Sequence, residues 1–230
     1  TAAVLKLFPL PRTAATAWIA VRDPAAAAAL LARLRDHCGE RVSGFELVSR
    51  AALDLVLRQG PGTRDPLAAA APWYVLAELT DTLDGFDLAG TLERLLHEEL
   101  DGGRISDAAV AQDLAQARAF WRLRESISEA QRIEGVSIKH DISVPVSRIA
   151  EFIERADAAL RQAFASVRIV TFGHIGDGNL HYNLSRPEAA ANAEFIGQTP
   201  TVNRIVHDTV ALLDGSISAE HGLGQLKRTE

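Results

Sequence analysis

The stretch FGHIGDGNLHYNL, residues 172–184, sets His174 and His181 on either side of Asp177-Gly178. An Asp-Gly pair between alternating residues is a strong short-range hairpin signal. With Asp177-Gly178 as a two-residue turn, Gly176 faces Asn179, Ile175 faces Leu180 and His174 faces His181. Directly opposed residues carry Cβ atoms about 4.5–5.5 Å apart, close enough for two imidazoles to share one ion. Alternation then sends His174, His181 and Asn183 to one face of the hairpin and Ile175, Leu180 and Tyr182 to the other. The competing reading is a plain hairpin whose histidines are only hydrogen-bonded.

Working outward, the rest of the second half reads as VSIKHDISV (136–144, strand), a helix over 147–164, the hairpin, a helix near 200–213, and a last strand SISAEHG (216–222). The first half has the same rhythm. Residues 17–21 read as a strand; Asp23 caps a helix with Pro24 at its first position, ending near Gly39. VSGFELVS (42–49) is a strand, RAALDLVLRQ (50–59) a helix, PGTRDP (61–66) a loop, WYVLAELT (73–80) a strand, and 89–100 a helix. Between the halves a single long helix is expected over 107–132, with Val110, Leu114, Phe120, Leu123 and Ile127 as its buried stripe. The expected fold is α+β: two β-α-β, ferredoxin-like halves around a largely antiparallel sheet with helices packed on it. The chain holds no methionine and opens on a strand-like run, AAVLKLF (2–8), so it reads as one domain of a longer protein.

A net charge of −6 and the lack of any Lys/Arg run argue against nucleic-acid binding. The single cysteine, Cys38, rules out a disulfide framework and fits a reducing, cytoplasmic setting. No run is long and apolar enough to span a bilayer, which leaves peripheral membrane attachment open.

A third candidate ligand lies in SISAEHGLGQ (216–225). Two neutral imidazoles and the Glu220 carboxylate form a three-ligand set of the catalytic zinc type, with a position left for substrate. His221, with an ordinary pKa of about 6.5, is then placed to take a proton from whatever fills that position. A surface Glu-His pair at a turn is the plainer alternative. In WRLRESISEAQ (121–131), Trp121, Arg124 and Ser128 share a helix face beside the core stripe. Arg124 and Lys139 together could neutralise a carboxylate, although most such side chains are simply solvated.

These segments resemble the C-terminal domain of the FAD-linked 2-hydroxyacid dehydrogenases, of the vanillyl-alcohol oxidase type. That group includes D-lactate dehydrogenase, the glycolate oxidase flavin subunit and D-2-hydroxyglutarate dehydrogenase. The resemblance runs through AVLKLFPLP (3–11), FELVSR (45–50), WRLRESISEA (121–130), IKHDISVPVSRI (138–149), the histidine motif and SISAEHGLGQLKR (216–228). It implies a metal held by His174, His181 and Glu220, with His221 as general base. It also implies Arg124 and Lys139 on the substrate carboxylate, and Asn183 as a supporting or substrate contact. Ser128 stands where the hydroxyglutarate enzymes tend to carry threonine. The implied cofactors are FAD, bound mainly by an N-terminal domain this chain lacks, and a divalent ion, zinc by its ligand types. The implied partners are a small 2-hydroxy acid and that FAD domain; a homo-oligomer is admitted, and the electron acceptor leaves no mark. The rival functions are a flavin-free metallohydrolase using the same three ligands and a non-catalytic docking module with an inert hairpin.

Overall fold

The computed structural model describes residues 2–164, 166–187, 190–222 and 224. The first half runs β1 (Thr13–Val21), α1 (Pro24–Cys38), β2 (Val42–Ser49), α2 (Arg50–Gln59), β3 (Trp73–Asp81), α3 (Leu88–Asp101) and β4 (Asp107–Val110). Two helices follow, α4 (Leu114–Glu125) and α5 (Ile127–Glu134). The second half runs β5 (Ser137–Ile138), β6 (Asp141–Ser143), α6 (Ile149–Ala163), β7 (Arg168–Gly173), β8 (Asn179–Ser185), α7 (Asn192–Gly197) and α8 (Thr199–Leu212).

All eight strands form one antiparallel sheet in the order β4-β1-β3-β2-β7-β8-β5, with β6 also on β8. The first four strands are the βαββαβ order 4-1-3-2, and α2 is an insertion between its second and third strands. In the second half β7, β8 and the β5/β6 edge repeat that order in reverse, and a lone bridge, Ser143 to Ser216, stands in for the fourth strand. The halves join where β2 pairs β7.

Every central strand is buried on both faces, because helices cover both. Ile19, Leu47, Val75, Tyr182 and Leu184 face one layer, built from the apolar stripes of α1, α3, α6 and α8, the last of them Val202, Val206 and Val210. Trp18, Val48, Tyr74, Leu76, Val170 and Phe172 face the other, covered by α2, α4 and α5. The α1 start is as expected: Asp23 accepts from the Ala26 N–H at 2.7 Å, and Pro24 fills a position that needs no donor.

Four expectations need correction. Residues 2–10 form no strand, and Val4, Leu5, Leu7, Phe8 and Leu10 are exposed. The long helix is three elements: residues 107–110 are the β4 edge strand, and the remainder breaks at Ser126. The four β4 residues, DAAV, are too few to show a strand period against a helical stripe, and Asp113 caps α4 by accepting from the Gln116 N–H at 2.8 Å. Residues 216–222 are not a strand beyond the Ser216 bridge. The hairpin register is also different. The pairs are Phe172 with His181 and Thr171 with Tyr182, two residues away from the expected pairing. A 3-10 turn over Ile175–Asp177 closed by left-handed Gly178 (φ 77°) replaces the two-residue turn. Its N–H groups bond inward, Asp177 and Asn179 to the His174 carbonyl and Gly178 to that of Ile175. An even slip preserves side-chain parity, so Leu180 and Tyr182 still point into the first core layer and His181 and Asn183 to the opposite face.

Candidate metal centre

The site lies at one end of the sheet face covered by α4 and α5, across three adjacent strands. β2 pairs β7 through Leu47 with Gly173 and Val48 with Phe172, so one further step sets Glu46 across from His174. β7 in turn sets Phe172 beside His181 on β8, with ring centroids 4.8 Å apart. His174, just past the end of β7, and His181 come together with centroids 6.3 Å apart. Glu220 arrives from the segment after α8.

One ligating atom from each of His174, His181 and Glu220 lies within 4.8 Å of the other two. Glu220 Oε1 is 3.0 Å from His174 Nε2, and its Oε2 is 4.0 Å from His181 Nε2. Asn179 Nδ2 also donates to Glu220 Oε1, at 2.8 Å. Both imidazoles therefore turn Nε2 toward one carboxylate.

A second carboxylate stands behind each ring. Glu46 accepts from His174 Nδ1 through one oxygen and from Arg124 Nε through the other, at 2.7 Å. Asp141 Oδ1 is 4.0 Å from His181 Nδ1, while Asp141 Oδ2 accepts from the backbone N–H groups of Glu220 (2.8 Å) and His221 (2.9 Å). Those two bonds fix the 220–221 backbone against β6 where strand pairing has ended. Sequence reading passed over both acids. The available signal was a charge inside an apolar strand, Glu46 between Phe45 and Leu47 and Asp141 before Ile142, because a buried carboxylate persists only with partners.

The titration of these groups follows from their surroundings. Burial pushes Glu46 up, but hydrogen bonds from His174 and the Arg124 charge outweigh it and hold the carboxyl below its usual range. The Glu46 hydrogen bond raises His174 above an ordinary histidine. Burial, reinforced by the Arg124 charge, lowers His181 and so favours the neutral ring that can ligate a metal.

The other predicted residues are placed as follows. Arg124 is buried, pairs with Glu46, and lies with its guanidinium 4.9 Å from the Phe172 ring centroid. Asn183 is buried with both ends used: its Oδ1 accepts from the His140 N–H at 3.1 Å and its Nδ2 donates to Gln131 Oε1 at 2.9 Å. It thereby interrupts the β5/β6 edge, which keeps one register on either side of Lys139 and His140. Lys139 is exposed in that interruption, and Ser128 is exposed on α5, beyond the break that separates it from Arg124. The side chain of His221 is exposed. The closing residues of the last motif, 225–228, lie outside the described residues. A cavity of about 810 Å³ between the 60–68 loop and α4 contains none of the predicted residues, whereas a recess of about 100 Å³ is lined by Glu46 and His174.

The chain has known relatives. A family described as FAD linked oxidases, C-terminal domain, matches residues 10–230. The chain belongs to that family. Among curated relatives, the mitochondrial D-2-hydroxyglutarate dehydrogenase of Arabidopsis thaliana is 36% identical over 214 residues, covering 93% of this chain and 37% of the relative. The D-2-hydroxyglutarate dehydrogenase of Stutzerimonas stutzeri is 38% identical over 189 residues, covering 81% of this chain and 39% of the relative. This FAD-linked oxidase domain thus spans well under half the length of those relatives. Solved structures share the fold: p-cresol methylhydroxylase with substrate bound (TM-score 0.60, 11% identity, 91% of this chain and 46% of that one) and alkyldihydroxyacetonephosphate synthase (TM-score 0.61, 10% identity, 90% and 41%). No helix among the described residues of the FAD-linked oxidase domain is long and apolar enough to cross a membrane.

Proposed function

We propose that this domain is the substrate- and metal-binding half of an FAD-dependent dehydrogenase that oxidises a D-2-hydroxy acid to the 2-oxo acid. The observation that carries the reading is the convergence of His174, His181 and Glu220 within 4.8 Å. The names of the relatives favour D-2-hydroxyglutarate over D-lactate or glycolate as the substrate. The donor set fits a divalent ion, zinc by ligand type: two imidazole nitrogens and a carboxylate, each imidazole with an acid behind its other nitrogen. When bound, the ion supplies Lewis acidity to the substrate hydroxyl, and FAD, held mainly by the remainder of the full-length protein, supplies the hydride acceptor.

The remaining work belongs to this chain. His221 takes the proton from the hydroxyl oxygen; Asp141 holds its backbone and leaves its imidazole toward solvent, able to pass the proton on. Arg124 meets the substrate carboxylate as a planar donor fixed between Glu46 and Phe172, and Lys139 adds a point charge. Ser128 contributes a hydroxyl at the substrate's edge. Asn183 supports the β5/β6 edge from behind.

The test uses the full-length, FAD-loaded protein under anaerobic conditions, with flavin absorbance as the readout. D-2-hydroxyglutarate bleaches the flavin, chelation of the metal stops it, and His221→Ala slows it about 10²–10⁴-fold at unchanged metal content. The proposal fails if none of D-2-hydroxyglutarate, D-lactate and glycolate reduces the flavin, or if the stripped protein reduces it at the native rate.

A further inference from the structure

Glu46 is buried to 3% exposure on a strand whose neighbours are Phe45 and Leu47. A charge so placed is expensive unless each oxygen has a strong donor, and here each has one. Oε2 accepts from Arg124 Nε at 2.7 Å, and Oε1 accepts from His174 Nδ1. Arginine can only donate, so the oxygen facing it is committed. The oxygen facing His174 accepts as well, which requires the histidine to carry a proton on Nδ1. The lone pair of the neutral ring is then on Nε2, the atom 3.0 Å from Glu220 Oε1.

We propose that Glu46 is a positioning residue that fixes the Nδ1–H tautomer of His174, so that Nε2 is the nitrogen offered to the metal. The proposal rests on the metal site described above and deepens it. Glu46 joins the metal end of the site to the arginine end through one carboxylate. Glu46→Gln is the informative change because it keeps shape and hydrogen-bonding capacity. The single amide oxygen must stay with Arg124, so the NH₂ group faces His174 and forces Nδ1 to accept. The neutral ring then carries its proton on Nε2, where the ion must bind.

The experiment is metal binding by the full-length, FAD-loaded protein, stripped with chelator and titrated with Zn²⁺, with wild type, Glu46→Gln and Glu78→Gln compared. Glu78 is a control on the same sheet face: its partners are Trp121 Nε1 (2.8 Å) and Thr16 Oγ1 (3.2 Å), with no histidine among them. Glu46→Gln weakens Zn²⁺ binding about 10–100-fold, the range for residues that orient a metal-bound histidine. Glu78→Gln stays within about threefold, since it shares no partner with the site. In wild type loaded with ¹¹³Cd and labelled with ¹⁵N-histidine, the cadmium couples to Nε2 of His174. Native affinity in a folded Glu46→Gln variant, or cadmium coupling to Nδ1 in wild type, overturns the role of Glu46. Wild type that takes up neither ion overturns the metal site itself, a separate failure. The coupling measurement needs no variant, so an Nδ1 ligand would overturn the role of Glu46 even if Glu46→Gln does not fold.

Discussion

The two halves have one topology and different endings. In the first, β4 closes the sheet by pairing four residues with β1, from Ala17 with Val110 to Ala20 with Asp107. In the second, the corresponding segment makes one bridge at Ser216, after which the Ala219 N–H donates to the Asp141 carbonyl at 3.2 Å. The backbone N–H groups of Glu220 and His221, which a full strand would have spent on a neighbour, go to the Asp141 side chain. The connections between the inner strands differ as well. Between β2 and β3 the first half inserts α2, which packs on the sheet, whereas β7 and β8 are joined by a five-residue turn that leaves His174 at the rim. The site thus draws His174 and Glu220 from the places where the second half departs from its own repeat, His181 from the regular strand β8, and Glu46 from the regular first half.

The largest effects should fall on metal binding, and from the second half. His181→Ala and Glu220→Ala should each weaken Zn²⁺ binding in the full-length protein by more than about 100-fold, beyond what residues that merely orient a ligand achieve. Metal content after dialysis reads this directly, and retention in either variant breaks the contrast between the halves. Asp141→Ala sharpens it. Releasing the 220–221 backbone should cost about 10–100-fold in metal affinity, with the cooperative melting of the sheet preserved.

Stability tests the turn. Gly178 has φ 77°, and a Cβ there would run into the Val144 carbonyl oxygen, while a Cβ at Gly176 finds nothing closer than 3.5 Å. Gly178→Ala should therefore destabilise by on the order of 1–3 kcal/mol and Gly176→Ala far less. Urea midpoints of the pair decide; equal losses would contradict a left-handed closing residue.

The smallest effect lies in the first half. Glu99 ties α3 to α1, accepting from Arg104 Nε at 2.7 Å and pairing with Arg33. Burial raises its carboxyl, but Arg104 and Arg33 outweigh burial and bring it below the usual range. A lowered folded-state pKa means stability that is present above the unfolded carboxylate value and lost as pH falls through the folded one. Glu99→Gln should cost about 1 kcal/mol at pH 7, progressively less in acid, and nothing in metal affinity.

Much of this was readable in the residues. β2 and α2 match VSGFELVS and RAALDLVLRQ residue for residue, because Ser49 ends a strand and caps a helix at one position. The convergence of His174, His181 and Glu220 was legible because their residue types and motifs survive any small register error. What sequence could not supply was tertiary. The Asp-Gly pair promised a two-residue turn, yet Gly178 closes a 3-10 turn packed against Val144, a neighbour fixed only by the fold. The helical stripe through Ser126 concealed a break, which separates Ser128 from Arg124. Glu46 and Asp141 are ordinary acids until β7 and the 220–221 segment are laid beside them.

His174, His181 and Glu220 are proposed to hold one divalent ion through both Nε2 atoms. Anomalous diffraction at the zinc edge from crystals of the full-length, FAD-loaded protein tests it most directly. A single strong peak per chain is expected at about 2.0–2.2 Å from His174 Nε2, His181 Nε2 and a Glu220 oxygen. Crystals grown with Zn²⁺ that show no peak among these three side chains would contradict it.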